Sequence, residues 1–181
     1  LMVYPKTGFD VEGAIAPPFA LLTIAAPLIK NGHEVKIIDQ RVNNSWKTEL
    51  ASELNKNPLY VGISSMSGTQ IKFALQVSKI VKESAKEVPI VWGGTHATIL
   101  PAQTLENPNV DIVIGGEGEA TVVELTLALE KRSGLKDVKG IYFKEKDGSQ
   151  VCTGLRPLMS MDDMLETPWE LVNPEDYIYK D

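Results

Sequence analysis

The sequence has 181 residues, of which 43% are hydrophobic and 23% charged, and its formal net charge is −6. These values are ordinary for a globular chain with a substantial core, and the length fits one domain or one domain plus an appendage. The acidic balance argues against a nucleic-acid or anionic-membrane surface, because such surfaces select clustered lysine and arginine. No apolar run reaches about eighteen residues and no basic-then-apolar leader is visible, so we expect neither a membrane span nor a signal peptide.

Cys152 is the only cysteine. An intrachain disulfide is therefore impossible, and the chain alone cannot supply three cysteine ligands to an iron–sulfur cluster. A single cysteine is compatible with a reducing compartment, so the expected location is the cytoplasm. Because the sequence opens inside an apolar run and stops without a closing element, we expect a fragment of a longer protein.

Short apolar runs alternate with amphipathic segments over the first three quarters of the chain. Strands are predicted at Leu1–Tyr4, Val35–Ile38, Tyr60–Ser64, Val88–Trp92 and Asp111–Ile114. Helices are predicted between them, from Pro17 to Asn31 with a kink or broken turn at Pro27, over Trp46–Lys56, after Thr69, around Pro101, and from a capping box at Thr121 to Arg132. This alternation predicts an α/β fold with a doubly wound, Rossmann- or flavodoxin-like parallel sheet of five strands in the order 2-1-3-4-5.

The last part of the chain departs from this pattern. Gly140–Cys152 predicts a β-hairpin that turns at Asp147-Gly148. From Arg156 onward, prolines and scattered acids indicate an irregular linker. We therefore divide the chain into an α/β domain over residues 1–135, a hairpin appendage over 136–154 and a linker over 155–181.

Two of the predicted strands end in glycine pairs, Gly93-Gly94 and Gly115-Gly116. Glycine beyond a strand permits a sharp turn and lets a bulky ligand approach the main chain. Ligands of open α/β sheets bind at the carboxyl ends of the strands, where both pairs should fall. The pairs predict a binding rim, although tight turns alone would also explain them.

The loops after the first three strands are less specific. Pro5–Ala16 lacks the G-x-G-x-x-G turn of a dinucleotide site, so Asp39, after the second strand, is expected to cap or solvate a loop rather than bind a ribose. The third strand is followed by a run of small hydroxyl residues. They can cap the next helix or line a ligand, and the sequence does not separate the two roles.

Several motifs together resemble the amino-terminal cobalamin-binding domain of cobalamin-dependent radical SAM enzymes. The motifs are Pro17-Pro18-Phe19-Ala20-Leu21-Leu22, Asn31-Gly32-His33-Glu34-Val35, Gly93-Gly94-Thr95-His96-Ala97-Thr98 and Gly115-Gly116-Glu117-Gly118-Glu119. Each motif is weak alone, but their order and spacing are specific, and the resemblance covers nearly the whole chain. Within that family the chain resembles the anaerobic magnesium-protoporphyrin monomethyl ester cyclases.

The resemblance implies that a corrin ring lies across the carboxyl edge of the sheet and that its nucleotide tail enters a groove between strands and helices. The residues that it implies for cofactor binding are Ser64, Ser65, Met66 and Ser67, then Gly93, Gly94, Thr95 and His96, and finally Gly115, Gly116, Glu117 and Gly118. Cobalamin carries many amides and one phosphodiester. It is therefore bound by backbone groups, hydroxyls and close approach more than by charge, and an acidic domain can hold it.

One departure from related domains concerns the cobalt ligand. Cobalamin domains of the methionine-synthase type carry D-x-H-x-x-G after the first strand, whereas Pro5–Ala16 contains no histidine. The resemblance therefore implies base-off cobalamin without a histidine ligand from that loop. Two roles stay open for His96, a hydrogen-bond donor at the ring edge or an ordinary loop histidine.

The radical chemistry of the family needs a C-x-x-x-C-x-x-C motif, which this sequence lacks. The iron–sulfur cluster and S-adenosylmethionine are thus expected only in a downstream radical SAM domain of the same chain. This fragment is expected to be non-catalytic, and the longer protein to carry out methyl transfer or oxidative ring formation. The alternatives are a flavodoxin-like domain that binds a flavin or nucleotide, and a non-catalytic interaction domain.

Overall fold

A computed structural model describes residues 1–10 and 15–178. Its strands are Met2–Tyr4 (β1), Ile37–Asp39 (β2), Val61–Ser64 (β3), Ile90–Gly93 (β4), Ile112–Ile114 (β5), Ile141–Lys144 (β6) and Gln150–Cys152 (β7). They form one sheet in the order β2-β1-β3-β4-β5-β6-β7. The first five strands pair in parallel, which confirms the predicted order.

The predicted number of strands was wrong. Among the described residues the sheet has seven strands because the hairpin extends it, with β6 antiparallel to β5 and β7 antiparallel to β6. The pair Ile112↔Phe143 shows why, since both side chains belong to the same buried core. The turn of the hairpin falls at Asp147-Gly148 as predicted, with Gly148 at a φ of +85°.

Helices cover both faces of the sheet. They are Phe19–Lys30 (α1), Trp46–Leu54 (α2), Gln70–Ser84 (α3), Thr95–Ile99 (α4), Pro101–Glu106 (α5) and Glu119–Glu130 (α6). On one face α1 and α6 bury a core around Leu22 and Leu125, and on the other α2 and α3 bury a core around Leu50 and Val77. None of the helices in the described ranges has the length and apolar character that crossing a bilayer requires.

Strand side chains alternate between these two cores. On β4, Val91 packs towards α1 and α6, whereas Ile90 and Trp92 pack on the opposite face. The Trp92 indole N–H donates to the Ser78 hydroxyl on α3 at 2.9 Å, so the largest buried side chain has its polar atom satisfied.

A broken turn at Pro27 was one predicted outcome, and it was wrong because α1 continues through this residue to Lys30. The predicted helix start at Thr121 was also wrong. α6 begins at Glu119, and so Thr121 lies inside the helix instead of capping it. The Thr121 hydroxyl donates to the Lys139 carbonyl and accepts from Arg156 Nε, which ties the first turn of α6 to the segment around β6.

The loops that follow β3 and β4 are in direct backbone contact. The Ser65 N–H donates to the Gly93 carbonyl at 3.0 Å, and the His96 N–H donates to the Ser65 carbonyl at 3.0 Å. Gly94 lies between these bonds with a φ of +90°, and a Cβ there would come within 2.8 Å of the Ser65 carbonyl oxygen. Only glycine fits this turn without moving the neighbouring loop.

The segment after the hairpin lies against the domain, and we call residues 156–178 the strap. It contains short 3₁₀ turns at Met161–Asp163, Trp169–Leu171 and Pro174–Tyr177. The Trp169 ring meets the Phe19 ring of α1 edge-on, with centroids 5.5 Å apart. The strap therefore runs along α6 and α1 towards the end of β2, where Tyr177 contacts Asp39.

Replacing Leu125, which is fully buried in α6, should open a cavity in the core. We expect Leu125→Ala to lower the free energy of unfolding by about 2–5 kcal/mol. Leu127, 37% exposed on the same helix, is the matched control, and Leu127→Ala should change it by less than about 1 kcal/mol. Urea unfolding measures both values, and equal losses would contradict the packing described for α6.

The turn after β4 gives a second prediction. Gly94→Ala should destabilise the protein by about 1–3 kcal/mol, because the alanine backbone would have to keep a positive φ and its Cβ would meet the Ser65 backbone. At neighbouring Gly93 a Cβ would meet no heavy atom within 4 Å, so Gly93→Ala should be close to neutral. The same urea titration compares them, and the account of this turn fails if the two variants are equally stable.

Candidate functional site

A cavity of about 190 Å³ lies between the sheet, α1 and the first turn of α6. Leu21 and Ile24 of α1 and Val122 of α6 form its apolar walls. It reaches the carboxyl edge of the sheet at the residues that follow β4 and β5.

The cavity exists because of the residues that β3 and β4 place on the face covered by α1 and α6. The register pairs Gly62 with Val91 and Ser64 with Gly93 across β3 and β4. All four face α1 and α6, and two of them have no side chain. The two glycines leave a depression in the floor where other residues would fill the space beneath the helices.

Six of the twelve residues predicted to bind the cofactor line this cavity, namely Ser64, Gly93, Gly94, Gly116, Glu117 and Gly118. The other six lie around it. Met66, Ser67 and Thr95 are exposed at the edge of the sheet. Ser65 is fully buried beneath them, and a Cβ at Gly115 would face Tyr142 and Leu155 on the β6 side.

The two histidines occupy different places, and neither lines the cavity. His96 is 8% exposed at the start of α4, and its Nδ1 lies 3.2 Å from the Ser67 hydroxyl. His33 lies at the opposite edge of the sheet, where its Nδ1 is 3.3 Å from Glu130 and it borders a separate cavity of about 240 Å³. Within the described ranges, no cluster of three or more histidine, cysteine or acidic residues could hold a metal ion.

The Asp39 side chain caps the turn after β2, as predicted, because its carboxylate accepts the backbone N–H of Arg41 at 2.9 Å. Its carboxylate is buried and paired with the Arg41 guanidinium at 2.6 Å, and it accepts a hydrogen bond from the Tyr177 hydroxyl at 3.1 Å. Burial and the Asp39 charge raise the pKa of Tyr177, so this phenol stays protonated and keeps donating at neutral pH. Asp39 is thus engaged with the end of the strap.

The strap also closes the outer side of the groove between α1 and α6. Arg156 forms an ion pair with Glu124, and the Met159 N–H donates to the Glu117 carboxylate. A second, mostly apolar cavity of about 340 Å³ lies beneath the strap and borders the first one, with Thr23 and Glu119 lining both. The strap therefore forms a roof over the groove.

The other residues that line the cavity were not predicted as site residues, and they are Met2, Ala20, Leu21, Thr23, Ile24, Tyr60, Gly62, Ile63, Val91, Ile114, Glu119 and Val122. Gly62 carried a usable signal, because an isolated glycine within an apolar strand indicates close approach of another group. The α1 residues carried none, since their orientation depends on how the helix lies over the sheet. Glu119 stood out only as one acid among several near a helix start.

Comparison with known proteins shows the family of this chain. Residues 6–126 match the family described as the B12 binding domain. The chain is 34% identical over 173 residues to an uncharacterised methyltransferase of Pyrococcus horikoshii, covering 93% of this chain and 37% of that protein. It is 28% identical over 179 residues to the anaerobic magnesium-protoporphyrin IX monomethyl ester cyclase of Synechocystis sp., covering 97% of this chain and 36% of the cyclase.

Among solved structures, the cobalamin-dependent S-adenosylmethionine radical enzyme OxsB with aqua-cobalamin bound superimposes with a TM-score of 0.75. The identity is 21%, and the match covers 87% of this chain and 22% of OxsB. At that identity the likeness establishes the fold alone. The chain spans little more than a third of its curated relatives. The family match covers well over half of this sequence and agrees with the resemblance drawn from its motifs, so the chain belongs to the B12-binding domain family.

Proposed function

We propose that this chain holds cobalamin across the carboxyl ends of β3, β4 and β5, as the cofactor-binding part of a longer radical SAM protein. The observation that carries the proposal is the glycine-floored cavity between α1 and α6, which opens at this edge. Family membership supports it independently.

The edge of the sheet suits a flat, amide-rich ring. Residues 64–67 and 93–96 contain no acidic residue, lysine or arginine, and they present hydroxyls, backbone groups and the half-exposed Met66 side chain. Gly116 is exposed, and a Cβ there would meet nothing within 4 Å, so its backbone is open to close approach. Such a surface can bind many neutral amides without a strong charge.

The cavity suits the nucleotide tail. Its apolar walls, Leu21, Ile24 and Val122, would contact the benzimidazole base, and the missing side chain at Gly93 leaves room for it. Burying an apolar ring in a preformed apolar pocket contributes about 25 cal/mol per Å² of area removed from water. The fit therefore depends on glycine at position 93, where a larger side chain would occupy the cavity.

We also propose that the bound cofactor is base-off and that no protein histidine replaces the base on cobalt. The loop after β1 has no histidine, and His33 lies at the far edge of the sheet. His96 is buried, and its Nδ1 is engaged with Ser67. A base held in the cavity between α1 and α6 would be away from the ring, which leaves the lower face of cobalt without a nitrogen ligand.

The activity belongs to the longer protein. Cobalamin carries a methyl group or an electron at cobalt, whereas S-adenosylmethionine cleavage needs a cluster held by cysteines, and Cys152 is the only one here. We propose that a downstream radical SAM domain holds the iron–sulfur cluster and S-adenosylmethionine. The names of the relatives, a methyltransferase and a cyclase, favour methyl transfer or oxidative ring formation. The lone cysteine favours the cytoplasm as its location.

Cobalamin retention tests the proposal directly. The protein mixed with hydroxocobalamin and desalted should keep a corrin spectrum, and Gly93→Leu should abolish it because the new side chain fills the cavity. Gly134→Leu, on the exposed segment after α6, should retain as much cofactor as the unaltered protein. If the unaltered protein elutes colourless, the proposal is wrong, and a yellow fluorescent protein after incubation with flavin would favour the flavodoxin-like alternative.

The coordination of cobalt is tested by electron paramagnetic resonance. Cobalamin reduced to the cobalt(II) state on the protein should show no nitrogen superhyperfine splitting, since neither the base nor a histidine lies below the metal. His96→Ala should leave the spectrum unchanged. Nitrogen splitting that disappears in His96→Ala would instead assign that histidine as the lower ligand and refute the base-off, histidine-free arrangement.

A further inference from the structure

Glu119 carries a buried carboxylate oxygen without a partner. The residue begins α6, and its side chain lines the cavity between α1, α6 and the sheet. Its Oε2 atom is inaccessible to solvent and has no hydrogen-bond partner among the residues that the structure describes. An unsatisfied buried acceptor of this kind destabilises the protein, and more so when it is charged.

The neighbouring polar groups already have hydrogen-bond or ion-pair partners. Glu117 accepts the Met159 N–H, and Arg156 pairs with Glu124 and Thr121. A position in the first turn of α6 is favourable for any acid because of the helix dipole. That effect explains why an acid is tolerated there, but it does not explain why one carboxylate oxygen is buried without a donor.

We propose that Glu119 recognises the nucleotide tail of cobalamin by accepting a hydrogen bond from a ribose hydroxyl. The inference rests on the proposed function and assigns a specificity residue within that site. The hydroxyls are the hydrogen-bond donors of the tail's sugar, whereas its phosphodiester is anionic and would be repelled by the carboxylate. Leu21 and Ile24 would then contact the base, and Glu119 would hold the ribose beside the first turn of α6.

In this arrangement Glu119 contacts the nucleotide tail and not the corrin ring. Hydrogen bonds from hydroxyls to carboxylates are among the stronger neutral-to-charged contacts in proteins. The apo protein has the unsatisfied oxygen, and the bound tail satisfies it, so the contact favours complete cobalamin over corrinoids that lack the nucleotide.

The test compares hydroxocobalamin with cobinamide, which has the same corrin ring but no nucleotide tail. Spectrophotometric titration of Glu119→Ala should give about 10- to 100-fold weaker cobalamin binding, as expected for a lost hydrogen bond to a charged group. Cobinamide affinity should change less than about twofold, which also shows that the variant folds. Glu119→Gln, which keeps one acceptor oxygen, should give an intermediate loss for cobalamin only.

Glu130→Gln is the matched control, because Glu130 lies at the other end of α6 and lines neither this cavity nor the one under the strap. It should bind both corrinoids as the unaltered protein does. Equal weakening of cobalamin and cobinamide by Glu119→Ala, or no weakening of either, would overturn the inference while leaving the proposed function intact. An unaltered protein that binds neither corrinoid would overturn the proposed function itself.

Discussion

The carboxyl edge of the sheet depends on the backbone contact between the loops after β3 and β4. Both polar backbone groups of Ser65 are bonded to the β4 side, and Gly94 fits between them only because it lacks a side chain. This contact fixes Ser64 and Gly93 side by side in the floor of the cavity. The proposed cofactor site is therefore formed by main chain held in one arrangement more than by a set of functional side chains.

The rest of the molecule holds helices over that floor. The α1 and α6 helices pack on each other and on strand residues of the same face as the glycines, such as Met2, Val91 and Ile114, so the cavity is enclosed by packed apolar residues. The strap crosses the outer side of both helices and is fastened at each end by a charged residue, Arg156 at α6 and Asp39 at β2. Asp39 is itself paired with Arg41. Removing one partner of a buried ion pair strongly destabilises a protein, so the pair holds Asp39 in place at this end of the strap.

The sequence predicted the parallel part of the sheet because each buried strand is a short apolar run followed by an amphipathic helix. It did not predict the join between β5 and β6, since a hairpin shows its turn but not the edge on which it pairs. Gly93 and Gly116 were visible as parts of glycine pairs, whereas Gly62 and the α1 wall depend on register and helix placement. The capping motif at Thr121 gave a wrong helix start, because the Thr121 hydroxyl bonds to residues that come later in the chain.

The central claim is that a cavity kept open by glycines between α1 and α6 receives the nucleotide tail of cobalamin. A crystal structure of the protein with cobalamin bound tests it most directly. The account predicts that the base lies above Gly62 and Gly93, between Leu21 and Val122, with the corrin ring across the ends of β3 to β5. A tail lying outside this cavity, or a ring bound at the edge near His33, would contradict it.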